Sequence, residues 1–234
     1  VLITGNTGFK GSWLTLWMNY LGAKVLGISL DYSSNPSNFE VLKLKSKISH
    51  KKIDIRKFKE LNKEIKKYKP DFIFHLAAEA IVQRAYKDPK NVWETNTLGT
   101  VNILESLKNL NKKVIVVIIT SDKVYKNLEI RRGYKENDIL GGYDPYSASK
   151  ASADLAAQSY FQTFFKFNKN ISICIARAGN VIGGGDWSEG RIIPDCIKSW
   201  SQGKKAIIRN PNSTRPWQHV LDVLNGYIIL AAKL

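Results

Sequence analysis

Short runs of β-branched and other apolar residues alternate along the chain with segments whose apolar residues repeat at helical spacing. The apolar runs lie at residues 1–4, 24–29, 72–75, 114–120 and 171–177, and helical patterns fill the intervals between them. The segment before Asp54 is read as a further strand. Strands that alternate with helices predict a parallel sheet covered by helices on both faces. We therefore expect an α/β fold with a doubly wound parallel sheet of the Rossmann type.

The pattern changes after residue 177, where glycine-rich and tryptophan-containing loops follow. A helix is predicted at residues 193–201, a short strand at 206–209 and another helix from about His219. We expect residues 1–177 to form one domain, and residues 178–234 to begin a smaller, truncated substrate-binding region whose last helix returns to the first domain. The chain starts without Met and ends inside a helical pattern, so we expect it to be a fragment.

Composition narrows the class of protein. Of the 234 residues, 44% are hydrophobic and 24% are charged, which is typical of globular proteins. The longest apolar run, at 114–119, falls short of the roughly 18 residues that a membrane-spanning helix needs, and no signal peptide is visible. Two cysteines and three histidines do not favour a metal site. We expect a cytoplasmic protein without a metal.

A net charge of +16 raises the question of a nucleic-acid partner. The excess comes mainly from lysines at residues 43–69, 108–113 and 166–169, without the interleaved aromatic residues of a single-strand binding surface. This distribution favours a solvated basic face that attracts small anionic molecules. We therefore expect no nucleic acid and no membrane as a partner.

Three glycines follow the first predicted strand at the spacing GxxGxxG: Gly5, Gly8 and Gly11. Such a turn brings backbone amides and the N-terminus of the next helix close to a pyrophosphate, which indicates a dinucleotide site. The alternative is an ordinary glycine-rich turn. Asp31 lies 20 residues beyond Gly11, where an acid would bind an adenosine ribose and favour NAD over NADP, although a plain surface acid is the alternative. Asp54 and the adjacent Ile55 are candidates to hold the adenine.

A second motif combines Tyr146 with Lys150, four residues later at the start of a predicted helix. This spacing places both side chains on one face, where an ammonium group can stabilise a phenolate and lower the pKa of the hydroxyl. A tyrosine tuned in this way can accept a hydroxyl proton while a hydride leaves for nicotinamide. The same spacing recurs in this chain by coincidence, so the position after the fifth strand is what singles out Tyr146.

Taken together, these motifs resemble those of the extended short-chain dehydrogenase/reductase family. That pattern also includes His75-Leu76-Ala77-Ala78 at a strand end, Asn96 in the following helix, and Ser121 after the fifth strand. The stretches 5–16, 120–125, 177–187 and 209–220 further resemble the branch of the family that dehydrates CDP-glucose. The Thr-Arg-Pro-Trp-Gln-His segment in the last stretch is the most discriminating of these.

The resemblance implies an activity and assigns roles to individual residues. NAD would stay bound, contacted by the glycine turn with Thr7 and Phe9, and by Ala77, Ala78, Asn96, Tyr146 and Lys150. Tyr146 would be the base and Ser121 would hydrogen-bond the C4 oxygen of glucose. The adjacent Asp122 and Lys123 would occupy the positions of the base–acid pair that removes water across C5 and C6, unless they form only a surface ion pair. Lys123 would either take part in proton removal or stay charged and stabilise the enolate.

The substrate's diphosphate needs cations and amide donors. Asn180, Arg191 and Arg215 fall in the appropriate region, as does Arg209, although arginines also serve as caps and ion-pair partners. Trp217 and His219 are candidates for the nucleotide-base pocket, with a core tryptophan as the alternative.

The helical segment 151–167 is more apolar than packing on a sheet requires. Members of the resembled family dimerise through this helix and the one at 96–107, so we expect a homodimer with a nucleotide-sugar substrate, acting in deoxysugar and O-antigen biosynthesis. One alternative is another nucleotide-sugar dehydratase or epimerase. A remote alternative is a non-enzymatic protein that senses NAD or binds nucleic acid.

Overall fold

The computed structural model describes residues 1–32, 34–208 and 210–234. Within these ranges the strands are β1 (Leu2–Thr4), β2 (Leu26–Ser29), β3 (Ser49–Lys52), β4 (Phe72–His75), β5 (Val114–Ile119), β6 (Ile171–Ala176), β7 (Asn180–Ile182) and β8 (Trp217–His219). The helices are α1 (Phe9–Tyr20), α2 (Asn38–Val41), α3 (Phe58–Tyr68), α4 (Val82–Lys87), α5 (Pro89–Trp93), α6 (Gly99–Leu107), α7 (Pro145–Tyr160), α8 (Ile192–Ser201) and α9 (Val220–Lys233).

The first six of these strands form one parallel sheet in the order β3-β2-β1-β4-β5-β6. The winding direction reverses between β1 and β4, where Thr4 has Ile28 and His75 as its neighbours in register. A crevice forms at such a reversal, beyond the carboxyl ends of the strands, and it is the usual ligand site in this architecture. The predicted doubly wound parallel sheet is confirmed.

Apolar side chains alternate along the strands, so that each face of the sheet has its own core. Leu2 belongs to the core that α3 and α6 cover, and Ile3 belongs to the core that α1 and α9 cover. The last helix thus packs on the sheet through Val223, Leu224 and Tyr227. The division into two domains at residue 177 stays a prediction.

Several local predictions differ from the structure. The strand predicted at 206–209 is wrong for residues 206–208, which form no strand among the described residues, while Arg209 lies outside them. This apolar run is short and has no neighbouring strand to pair with. Instead, β8 pairs with β7 as a separate parallel sheet, with Asn180 opposite Trp217. Two π-helical segments, Glu94–Leu98 before α6 and Phe161–Phe165 after α7, were not predicted either.

Candidate active site

The turn between β1 and α1 is tight because its glycines lack side chains. Gly5 has a φ of +72°, and a Cβ atom there would lie 2.7 Å from the backbone nitrogen of Ala77. A Cβ at Gly11 would collide with the carbonyl oxygen of Gly5. The glycines therefore let the first turn of α1 approach both the neighbouring strand end and the crevice of the sheet.

A cavity of about 360 Å³ opens over this turn. Its lining contains most of the residues predicted to hold the cofactor, namely Gly5, Thr7, Gly8, Phe9, Gly11, Asp31, Asp54, Ile55, Ala77 and Ala78. The α1 N-terminus directs its free backbone amides and the positive end of its dipole toward this space, which favours an anionic ligand. The structure thus brings these residues together around one space, and their binding role stays a prediction.

The acids at the far end of the cavity have basic partners. The Asp31 carboxylate, 80% exposed, lies 2.6 Å from Lys52 Nζ. Arg56 donates to both carboxylate oxygens of Asp54, which lowers the pKa of that carboxyl. Arg56 also donates to Asn91 Oδ1 at 2.6 Å. Because Lys52 offsets the charge of Asp31, repulsion of a 2′-phosphate is weaker than the sequence argument assumed.

Asn96 lies behind the cavity lining and forms hydrogen bonds to residues next to it. It lies in the π-helical segment, is buried, and accepts a hydrogen bond from the Glu79 backbone nitrogen at 2.8 Å. Its amide nitrogen donates to the Glu79 carbonyl and to Ser149 Oγ on α7. Asn96 does not belong to the cavity lining, so its observed contacts position the segment that follows β4, and cofactor contact stays a prediction.

Ser121, Asp122 and Lys123 form a turn after the end of β5. These three residues are called the catalytic-turn segment. Ser121 Oγ donates to Asp122 Oδ1 at 3.0 Å and accepts from the Lys123 backbone nitrogen. Lys123 Nζ lies 3.5 Å from Asp122 Oδ1 and 3.4 Å from Asn180 Oδ1 on β7. Four of the predicted residues are therefore in contact.

Tyr146 occupies the first turn of α7, where the Asp144 side chain caps the helix and Pro145 is its first residue. The tyrosine is buried, and burial raises the pKa of its hydroxyl, while a hydrogen bond with Ser121 acts in the opposite direction. The net shift of the Tyr146 pKa is therefore upward, and its lowering by Lys150 stays a prediction. Lys150 Nζ donates instead to the Ile119 carbonyl oxygen at 3.1 Å.

A second lysine at this site, Lys10, was missed by the sequence analysis and is partly buried. Lys10 lines the cavity, and its Nζ donates to the hydroxyl of Tyr227 on α9 at 3.2 Å. Burial and the nearby Arg191 lower the pKa of Lys10 to about 8. Burial and the charge of Lys10 lower the pKa of Lys150 to about 7. The available signal was a lysine inside the glycine motif itself.

The predicted substrate residues are placed unevenly. Arg191 lines the cavity and pairs with Asp186 at 2.9 Å. Arg215 lies on an exposed loop, where it donates to the Thr214 carbonyl, and it does not belong to the cavity lining. Trp217 is 42% exposed, so the core-tryptophan alternative is wrong. Arg209 lies outside the described residues.

His219 serves as the cap of α9, because its Nδ1 accepts from the Leu221 backbone nitrogen at 3.3 Å. Among the residues that the structure describes, no group of three His, Cys, Asp or Glu side chains is placed to hold a metal ion. Across the same described ranges, every helix is too short or too polar to cross a membrane.

The sequence comparisons point to one family. A family model for GDP-mannose 4,6 dehydratase matches residues 2–233. The chain is 46% identical, over its whole length, to the CDP-glucose 4,6-dehydratase of Salmonella typhimurium, and it spans 66% of that protein. It is 31% identical to the dTDP-D-glucose 4,6-dehydratase of Dictyostelium discoideum, again over the whole chain, and it spans 55% of that protein.

A solved structure agrees with the sequence comparisons. The dTDP-glucose 4,6-dehydratase of Streptomyces venezuelae, crystallised with NAD bound, superimposes with a TM-score of 0.84 at 28% identity. The superposition covers 98% of this chain and 71% of that one. These findings confirm the resemblance that the motifs indicated. The chain belongs to the GDP-mannose 4,6 dehydratase family.

Proposed function

We propose that the protein that contains this chain binds NAD and converts CDP-glucose into CDP-4-keto-6-deoxyglucose with loss of water. One observation carries this proposal: Ser121 is close enough to Tyr146 to lower the pKa of its hydroxyl, and Asp122 and Lys123 lie in the same turn as Ser121. In this arrangement, Tyr146 and Ser121 would carry out the oxidation, and Asp122 and Lys123 would carry out the loss of water. The identity with the Salmonella enzyme supports CDP-glucose as the substrate.

The cavity has the features that a dinucleotide requires. A side chain at Gly5 or Gly11 would collide with neighbouring backbone atoms and open the turn, and the α1 N-terminus faces the cavity. Asp31 would bind the ribose, and the segment from Asp54 to Ile55 would border the adenine. NAD bound here would supply the nicotinamide that takes up a hydride and returns it.

Oxidation at C4 of glucose needs a proton acceptor at the C4 hydroxyl. Tyr146 takes that proton, and the Ser121 hydroxyl hydrogen-bonds the same oxygen. Because burial raises the pKa of Tyr146, the phenolate needs stabilisation at this step. Lys150 supplies it as an ammonium group on the same face of α7.

Loss of water then requires a base at C5 and an acid at the C6 hydroxyl, because the new 4-keto group acidifies C5. Asp122 and Lys123 supply this pair. The carboxylate of Asp122 and the amide oxygen of Asn180 both accept hydrogen bonds from Lys123 Nζ. As an ammonium group, Lys123 stabilises the negative charge that develops on the enolate.

The remaining predicted residues would hold the nucleotide part of the substrate. Arg191 is best placed for the diphosphate, since it lines the cavity. Asn180 lies opposite Trp217 in the small sheet, so the two would act together on the sugar and the base. Arg215 and Arg209 complete the proposed set from the loop that precedes β8.

We also propose that the protein is a cytoplasmic homodimer. The α7 helix and the segment after it expose Leu155, Phe164 and Phe167 to solvent, and Leu98 is exposed before α6. Contiguous apolar surface of this kind is typical of an interface. Cys174 and Cys196 are both free, which fits a reducing compartment. The proposed product would enter deoxysugar biosynthesis, including that of O-antigen.

The test incubates the full-length protein separately with CDP-, dTDP-, UDP- and GDP-glucose and analyses the products by mass spectrometry for loss of water and by proton NMR for isomerisation. We expect loss of one water molecule from CDP-glucose. Dehydration of dTDP-glucose alone would make the assigned nucleotide base wrong. An isomerised hexose without loss of water would favour an epimerase, and NAD binding without any product would favour a sensor.

A further inference from the structure

A buried ion pair lies behind the catalytic-turn segment. Asp154 on α7 has a fully buried side chain, and Arg177, directly after β6, is 12% exposed. The guanidinium makes two hydrogen bonds to the carboxylate, Nε to Oδ2 and the second terminal nitrogen to Oδ1, both at 2.8 Å. This two-point geometry fixes the orientation of both groups as well as their distance. Neither residue lines the cavity.

The ion pair forms hydrogen bonds to residues that precede and follow the catalytic-turn segment. Asp154 Oδ2 accepts from Thr120 Oγ1 at 3.1 Å, and Thr120 directly precedes Ser121. Arg177 donates to the hydroxyl of Tyr125 at 2.9 Å, two residues beyond Lys123, and with the same nitrogen to the Glu136 carbonyl. Moving either charged group would therefore displace the residues that flank the turn.

The residues of α7 that face the end of β5 lie in one row along the helix. Tyr146, Lys150 and Asp154 are spaced four apart on α7 and share a face. Along this row, Tyr146 lies near Ser121, which lowers the pKa of its hydroxyl, and Lys150 donates to the Ile119 carbonyl oxygen. Asp154 adds the bond to Thr120, so successive residues at the end of β5 each have a partner on the helix.

Stability alone is a weak reason for such a pair. Removing two charges from water costs several kcal/mol per ion, and apolar side chains of similar volume often stabilise a core at least as well. What apolar groups cannot supply is a directional link between the helix and the turn. We propose that Asp154 and Arg177 are positioning residues that hold the catalytic-turn segment against Tyr146 in the reacting geometry. This inference rests on the proposed function.

A matched control pair lies in the loop between Tyr125 and α7. Arg132 and Asp138 form another two-point ion pair, with both distances 2.7 Å, but Arg132 is half exposed. Arg177→Met and Arg132→Met thus remove the same kind of interaction, in one case beside the turn and in the other at the surface.

The experiment measures kcat and KM for CDP-glucose with the full-length protein and these variants. We expect Arg177→Met to lower kcat about 100-fold, because a displacement near 1 Å costs that much, while KM changes less than about threefold. Arg177→Lys should recover part of the loss, and Arg132→Met should leave both constants unchanged. An Arg177→Met protein that keeps kcat per folded molecule would overturn the inference.

A crystal structure of the Asp154→Asn variant supplies a test that does not depend on activity. We expect the hydrogen bond from Thr120 to residue 154 to be changed and residues 120–123 to shift relative to Tyr146. An unmoved turn would overturn the inference. If the unmodified protein dehydrates no nucleotide sugar, the proposed function fails, and this crystal structure still decides whether the pair positions the turn.

Discussion

The partly buried Lys10 lies near the buried Lys150, and the charge of Lys10 helps to lower the pKa of Lys150 to about 7. Lys10 belongs to the glycine turn and Lys150 to α7, so the coupling joins the cofactor cavity to the catalytic residues. A lysine with a pKa near neutrality changes its charge within the working pH range of an enzyme.

Replacing Lys10 should therefore change how activity depends on pH. If Lys150 works as an ammonium group, activity falls as pH rises through its pKa. Lys10→Met removes a neighbouring positive charge, so we expect the alkaline limb of the kcat profile to move upward by about half a pH unit. The exposed Lys169→Met is the control. A profile that is unchanged in both variants would contradict the coupling.

Lys150 should also make stability depend on pH. Its pKa is lowered from 10.5 to about 7 in the folded protein, so the unfolded chain binds more protons between these values. The free energy of unfolding then rises with pH, by about 2 kcal/mol from pH 7 to pH 9. Urea titrations of wild type and Lys150→Met at both pH values measure this contribution. We expect a smaller rise in the variant, and equal rises would show that Lys150 is not the cause.

Asp31 should affect cofactor affinity and leave stability nearly unchanged. Its ion pair with Lys52 is exposed on both sides, and such pairs contribute about 0–1 kcal/mol. We expect Asp31→Ala to raise the Kd for NAD about tenfold, a loss of about 1.4 kcal/mol, measured by calorimetry. Asp71→Ala removes an exposed pair with Lys112 and serves as the control. Equal affinity of the unmodified protein for NADP and NAD would refute the assigned role.

Lys123 and Tyr146 should act at different steps. Lys123→Ala should still reduce nicotinamide in a single turnover, seen as absorbance of the reduced cofactor, because Ser121 and Tyr146 remain. It should lose dehydration and solvent exchange at C5. Tyr146→Phe should lose both steps. A Lys123→Ala protein that binds substrate normally but reduces no nicotinamide would instead make Asp122 and Lys123 a structural support for Tyr146.

The proposed dimer can be tested at its most exposed apolar residue. Phe167 is 89% exposed, and we expect Phe167→Asp to weaken association at least tenfold by placing a charge in an apolar interface. Light scattering at micromolar concentration measures the mass. Tyr86→Asp on α4 changes another exposed aromatic residue outside the proposed interface. A full-length wild-type protein that is only monomeric would refute the proposal.

Much of the cofactor side could be predicted from the sequence, because a glycine turn between a strand and a helix has few possible geometries. Gly5, Gly8 and Gly11 line the cavity as expected, and so do Asp31 and Asp54. These residues lie at strand ends, and parallel strands bring their carboxyl ends to one edge of the sheet.

The rest depends on contacts between residues far apart in the chain. Lys10 contacts Tyr227, which lies 217 residues later, and no local pattern predicts that meeting. The inward position of Asn96 depends on a π-helical turn that shifts the helix register. The pKa of Tyr146 follows from its burial, which a motif of five residues does not contain. One partner of Lys123, the Asn180 side chain, likewise comes from β7.

The parallel pairing of β7 with β8 has a consequence for the order in which the protein folds. Asn180, which contacts Lys123, lies on a strand whose register partner Trp217 is 37 residues later in the chain. During synthesis, residues 1–176 can form the large sheet before Trp217 leaves the ribosome. The pairing of β7 with β8 therefore follows the large sheet, since closing a long loop slows the formation of such pairings. A nascent chain would form its glycine turn before Asn180 is held beside Lys123.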